Sequence, residues 1–179
     1  GYSHQSEMPK VKGPDELISE YDFYQQNLDK IPAHLHKIVT REKPIEVRHV
    51  QPNNVFDPQK MPPQRQVWIK ANGKLPDSQR IHRYLLSYAS DFNLLPTALF
   101  PHGKNFLQPN MQVATIDHSM WFHRPFRMDE WILYDMDSTS ASGGRGFVKG
   151  QFFNQQGELI ASAAQEGVIR DHGKFPKKK

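Results

Sequence analysis

The sequence contains no cysteine. That excludes disulfides, thiolate metal sites and a cysteine nucleophile, and it fits a reducing compartment, the cytoplasm. Nor is there an apolar run near the ~18–20 residues that a membrane-spanning helix requires, so no span is expected. A surplus of one charge is missing as well. The 179 residues carry 23 Lys and Arg against 19 Asp and Glu, a net +4, but Lys174, Lys177, Lys178 and Lys179 all follow residue 173. Without them acids and bases balance. The positive charge is therefore a tail and not the basic face that a phosphate backbone needs, and no nucleic-acid partner is expected. The opening Gly1-Tyr2-Ser3-His4-Gln5 shows neither an initiator Met nor a cationic segment followed by an apolar one. This is the start expected of a processed or truncated chain without a secretory leader. G-x-S-x-G, H-E-x-x-H and Walker patterns are absent. His102, His118 and His123 are scattered, with no i, i+4 pair to suggest a metal site, so neither a metal nor a cofactor is expected.

What is present divides into three parts. Residues 1–43 are polar and punctuated by Pro9, Pro14 and Pro32, with one helical stretch from about Asp15 to Leu28; they form an arm that packs on something else. Residues 44–172 form the main domain, and residues 173–179 a basic tail. In the domain, Ile45–Val50 alternates apolar and charged residues, and Gln66–Lys70 is a second strand, closed by the Asn72-Gly73 turn; Gln51–Gln64 between them is a surface loop. One long helix follows. Asp77 or Ser78 can cap it, Ile81, Tyr84, Leu85, Tyr88, Ala89 and Phe92 make its apolar stripe, and Pro96 should stop it. Four strands come after: Gln112–Phe122, Glu130–Met136, Arg145–Asn154 and Glu158–Arg170. The order predicts an α+β fold in which one long helix lies on a curved antiparallel sheet.

Three polar residues stand out. Asp91 lies beside Tyr84 and Ser87 at the edge of the stripe; it is either a solvated flank or a carboxylate half-lifted out of water and available as a general base. Thr115 is an ordinary strand former, expected to share a face with Val113, Asp117, Ser119 and Trp121, opposite Ala114, Ile116, Met120 and Phe122. Gln165 falls among Leu159, Ala161, Ala163, Gly167 and Ile169, where an amide must find partners or cost ~1–3 kcal/mol; it either bonds a loop or holds a water or substrate oxygen. Asp117 and His118 look like a dyad, but neighbours on a strand point to opposite faces. Ser138–Gly146 resembles a phosphate cradle only by its glycines and is better taken as a bulged turn between strands.

Five segments together resemble the acyl-CoA thioesterase II family, most closely its bacterial members. They are Ser90-Asp91-Phe92, Pro101-His102-Gly103, the run from Ala114 through Asp117-His118-Ser119-Met120-Trp121-Phe122-His123, Ser140-Ala141-Ser142-Gly143-Gly144-Arg145-Gly146, and Gln165-Glu166-Gly167-Val168-Ile169-Arg170. The resemblance implies a hotdog fold, a long helix wrapped by an antiparallel sheet, of which the family carries two in tandem. This chain is similar to the linker and the second repeat. The resemblance further implies an acyl-CoA substrate, medium- to long-chain, hydrolysed by a water that Asp91, Thr115 and Gln165 hold. It implies a partner too, either a second copy or a first repeat. The alternative is a non-catalytic acyl-CoA-binding or assembly half. A hotdog dehydratase is disfavoured, because such enzymes pair a His with a carboxylate where the matched residues are Asp, Thr and Gln.

Overall fold

The computed structural model describes residues 1–31, 33–51, 55 and 57–173; residues 174–179 of the expected tail and part of the Gln51–Gln64 loop lie outside them. The helices are α1 (Glu20–Gln26), α2 (Ala33–Val39) and α3 (Gln79–Leu94). Six strands, β1 (Ile45–His49), β2 (Gln64–Ala71), β3 (Met111–Phe122), β4 (Ile132–Ser142), β5 (Arg145–Asn154) and β6 (Leu159–Asp171), make one antiparallel sheet in the order β1-β2-β4-β5-β6-β3. The long helix packs on its inner face. Ile69, Ile132, Tyr134, Val148 and Phe152 point inward against Leu86 and Ala89, each large side chain contributing about 1.5–3 kcal/mol by leaving water.

Apolar residues also occupy the other face, where Trp68, Leu133 and Phe153 cluster with Trp131 and Leu159. The arm covers them. Met8, Val11 and Leu17 pack on this outer cluster, the Trp68 indole N–H donates to the Lys12 carbonyl at 2.9 Å, and the Gln5 side chain bonds the backbone of both Gly157 and Leu159. The arm is not a single helix from Asp15 to Leu28. A 3-10 turn (Pro14–Glu16) precedes α1, which starts afresh because the Ser19 hydroxyl caps the Asp22 N–H at 3.0 Å, and α2 had no expected counterpart.

The expected stripe of α3 is rotated. Tyr84, Tyr88 and Phe92 are exposed, whereas His82, Leu86, Ala89, Ser90 and Asn93 are buried. Distant partners make the polar burial possible: the Met128 N–H donates to His82 Nδ1 at 3.1 Å, and the Tyr134 hydroxyl donates to the Ser90 carbonyl at 2.9 Å. Ser78 is the N-cap residue, although its side chain makes no capping bond. Pro96 ends the α-helix, as expected, but the chain winds on as a 3-10 helix through Leu95–His102. β4 runs six residues past its predicted end and meets β5 in a hairpin. Gly143 and Gly144 form its turn with φ of 58° and 73°, a pair of conformations that L side chains resist.

Between arm and domain, Glu20 accepts from Lys43 and His49, and Arg65 donates to His49 Nδ1 at 3.1 Å. Burial alone would raise the Glu20 carboxyl, but the His49 hydrogen bond and the Lys43 charge outweigh it and hold it at about 2 against an ordinary 4.5. Burial, then the Arg65 charge, pushes His49 below its ordinary 6.5. In acid, both groups take up protons more readily in the undocked chain. The cluster's contribution is therefore complete above pH 6.5, falls as His49 protonates below that, and falls further between 4.5 and 2 as Glu20 does. Amide exchange across residues 14–49 is expected to accelerate on acidification beyond its intrinsic pH dependence. Exchange that tracks the intrinsic rate from pH 7 to pH 4 would contradict this.

Candidate active site

Two glycines let the 3-10 helix that follows α3 approach the sheet. A Cβ on Gly146 would lie 2.7 Å from the Ala98 methyl group, and one on Gly167 would lie 2.3 Å from a Leu95 methyl group. The 3-10 helix thus lies against β5 and β6, and the end of α3 is held where Asp91 reaches the strand residues. Thr115 Oγ1 donates to Asp91 Oδ1 at 3.0 Å, Gln165 Nε2 donates to the same oxygen at 2.8 Å, and Gln165 Nε2 also contacts Thr115 Oγ1 at 2.6 Å. The three residues singled out in the sequence meet at one point. Gln165 is fully buried, whereas Asp91 and Thr115 are exposed, so the amide forms the floor and the carboxylate faces outward. Among the described residues no hydrogen bond is made to Asp91 Oδ2.

The strand faces differ from the expected alternation. Thr115 pairs with Gly167 and Asp117 with Glu166, leaving Ile116 as an extra residue in β3. This bulge inverts the remainder of the strand. Thr115, His118, Met120 and Phe122 share the inner face, while Asp117, Ser119 and Trp121 share the outer one. Asp117 Oδ1 accepts from the Glu166 N–H at 3.0 Å, beside the bulge. A second bulge, at Ile160 of β6, turns Leu159 away from Gln165 and into the outer cluster.

Because of the first bulge, His118 belongs to the site, although strict alternation had set it on the face opposite Thr115 and Asp117. Its Nδ1 lies 3.2 Å from Gln165 Oε1 and its Nε2 lies 2.8 Å from Ser90 Oγ. Ser90, next to Asp91 on α3, is itself buried. A hydrogen-bonded path thus runs from the helix through the imidazole to the amide and back to the helix at Asp91. Only recognition of the bulge could have joined these residues. Burial, together with the Asp91 charge, pushes the Tyr134 phenol well above its ordinary 10, so this hydroxyl stays a neutral donor to the helix. Among the described residues no three His, Asp or Glu side chains converge as metal ligands.

A cavity of about 590 Å³ lies on the β1–β2 side of α3, bounded by Tyr88 and Phe92 of α3, Phe23 of α1, Ile38 of α2, Ile69 and Phe100; Asp91, Thr115 and Gln165 do not line it. Its size is that of a small-molecule pocket. Trp121 and Ile116 on β3, an edge strand, are also exposed.

A family profile described as acyl-CoA thioesterase matches residues 35–168. The chain is 45% identical over 170 residues to acyl-CoA thioesterase 2 of Haemophilus influenzae, covering 95% of this chain and 59% of that protein. It is 40% identical over 174 residues to acyl-coenzyme A thioesterase 8 of Homo sapiens, covering 93% and 54%. The chain therefore spans just over half the length of these relatives. Among solved structures, an acyl-CoA thioesterase II of Mycobacterium marinum superposes with a TM-score of 0.72 at 37% identity, over 96% of this chain and 58% of that one. A hot dog protein of Alicyclobacillus acidocaldarius, at 16% identity and a TM-score of 0.66 over 95% and 57%, shares the fold. The helix and its wrapping sheet are a hotdog.

Proposed function

Since the chain belongs to the acyl-CoA thioesterase family, we propose that it hydrolyses medium- to long-chain acyl-CoA to a free fatty acid and CoA, through a water held by Asp91, Thr115 and Gln165. The observation that carries the reading is the convergence of the Thr115 hydroxyl and the Gln165 amide on one oxygen of Asp91, within 3.0 Å, at the opening of a floor that is otherwise buried. Both neighbours give hydrogen bonds to the carboxylate, so Asp91 is the base of the group. Its free Oδ2 takes a proton from the water as that oxygen bonds to the thioester carbonyl carbon. The tetrahedral oxyanion then collapses and the C–S bond breaks. CoA departs as a thiolate and recovers a proton; with a thiol pKa near ~8.5, departure needs no strong acid. Orientation of the water is the main requirement, and the fixed amide and hydroxyl meet it.

The exposed Tyr84, Tyr88 and Phe92, with the cavity behind them, supply apolar surface for an acyl chain of medium or greater length. The same exposure favours pairing with a second hotdog, another copy or a first repeat, which covers the helix and the edge of β3. It also supports a second reading, in which this half binds acyl-CoA or assembles with a partner and turns over nothing by itself. Release of free thiol from acyl-CoAs of graded length separates the two. Turnover by the chain that is lost in Asp91→Asn supports hydrolysis here, and calorimetric binding without turnover supports the second reading.

A further inference from the structure

We infer that His118 is a positioning residue, held with its proton on Nδ1, which fixes the side-chain amide of Gln165 in the one orientation that serves Asp91. For its catalytic consequence this rests on the thioesterase reading; for the tautomer it rests on geometry alone. A carboxylate cannot donate, so the group 2.8 Å from Asp91 Oδ1 must be the Gln165 NH2 and not its oxygen. The amide oxygen then faces His118 Nδ1 at 3.2 Å. Two lone pairs there would repel, so Nδ1 must carry hydrogen. A neutral imidazole then keeps its lone pair on Nε2, 2.8 Å from the Ser90 hydroxyl, whose one proton has the Ser87 carbonyl, also at 2.8 Å, as its other acceptor. From the imidazole onward the donors point the same way: His118 to Gln165, Gln165 to Asp91.

The opposite arrangement is internally inconsistent. With hydrogen on Nε2, the amide would have to invert to satisfy Nδ1, bringing its oxygen to 2.8 Å from the Asp91 carboxylate. With Gln165 fully buried, the amide oxygen of such an acceptor pair would lack a donor and the contact would be repulsive. The carboxylate, the amide and the imidazole therefore determine one another. With an apolar group at 118, Gln165 loses the partner that distinguishes its two ends, and part of the population turns its oxygen toward Asp91 and the water.

Two measurements on the full chain decide this. The first is ¹⁵N spectroscopy of the imidazole nitrogens at neutral pH, with His118 assigned by the signal lost in His118→Asn. The expected pattern is a protonated Nδ1; a bare Nδ1 overturns the inference. The second is kinetic. His118→Leu is expected to lower kcat roughly tenfold or more with KM little changed, the effect of about 1.4 kcal/mol in the transition state. His118→Asn, whose amide N–H can replace Nδ1–H, is expected to recover most of that loss. Equal impairment of both variants, in folded protein, overturns the positioning role. If the unaltered chain releases no thiol, it is the hydrolytic reading that fails, and the imidazole spectrum still settles the tautomer.

Discussion

Replacing Asp91 by asparagine is expected to lower the rate of thioester hydrolysis by about 10²–10⁴-fold, the range that a positioned general base contributes. The substitution keeps the size of the side chain and leaves an oxygen that can still accept from Thr115 Oγ1 and Gln165 Nε2. What it removes is the capacity to take a proton from water. The loss should therefore fall on kcat and leave KM nearly unchanged. Since Asp91 lies at the surface, stability should move by no more than about 0.5 kcal/mol. Steady-state thiol release, paired with a denaturation curve, checks both halves. A variant as fast as the parent would remove Asp91 from the mechanism. A slow variant that is also unfolded would show only that the carboxylate supports the structure.

The second large effect is structural. Gly167→Ala is expected to cost about 1–3 kcal/mol or more, the range for forcing added atoms into a packed core. The new methyl group would lie 2.3 Å from Leu95 and 2.8 Å from the carbonyl oxygen of Ala114. The first is a side chain at the start of the 3-10 helix that follows α3, but the second is backbone of the adjacent strand and cannot rotate aside. Separating helix from sheet also moves Asp91 away from Thr115, which pairs directly with Gly167. Activity should therefore fall with stability. Urea unfolding measures the change as a shift in midpoint at constant slope. Gly13→Ala is the control: its added methyl meets only Glu16 Oε1, at 3.6 Å, an ordinary contact. Equal stability of the two variants would show that the close approach at Gly167 is not under load.

Strand periods were the most legible part of the fold. Arg145–Asn154 was bounded as β5 is, because its small, apolar and polar residues alternate and turn residues flank it. The same logic failed on α3. Tyr84, Tyr88 and Phe92 outrank His82, Ser90 and Asn93 on any scale of transfer from water, yet the second set is buried. Burial of a polar group depends on partners, and the partners of His82 and Ser90 lie at Met128, His118 and Tyr134, dozens of residues away. The polar end of β4 was missed for a related reason: Asp137–Ser142 pairs by backbone bonds that its side chains do not announce. Asp91, Thr115 and Gln165 were marked by local oddity or resemblance, whereas His118 depended on a bulge at a β-branched residue that carries no turn signal.

That bulge also determines where the chain can tolerate a change of length. Ile116 is exposed and touches none of the reacting groups, which at first sight makes it dispensable. Its deletion would nonetheless return β3 to strict alternation and send everything on one side of the cut to the opposite face. Either Thr115 would leave Asp91 or His118 would leave Gln165. An added residue in the Gln155–Gly157 hairpin, by contrast, changes no strand's parity. Between Thr115 and His118, then, substitutions can be absorbed while a single insertion or deletion cannot: the constraint there acts on the number of residues more than on their kind.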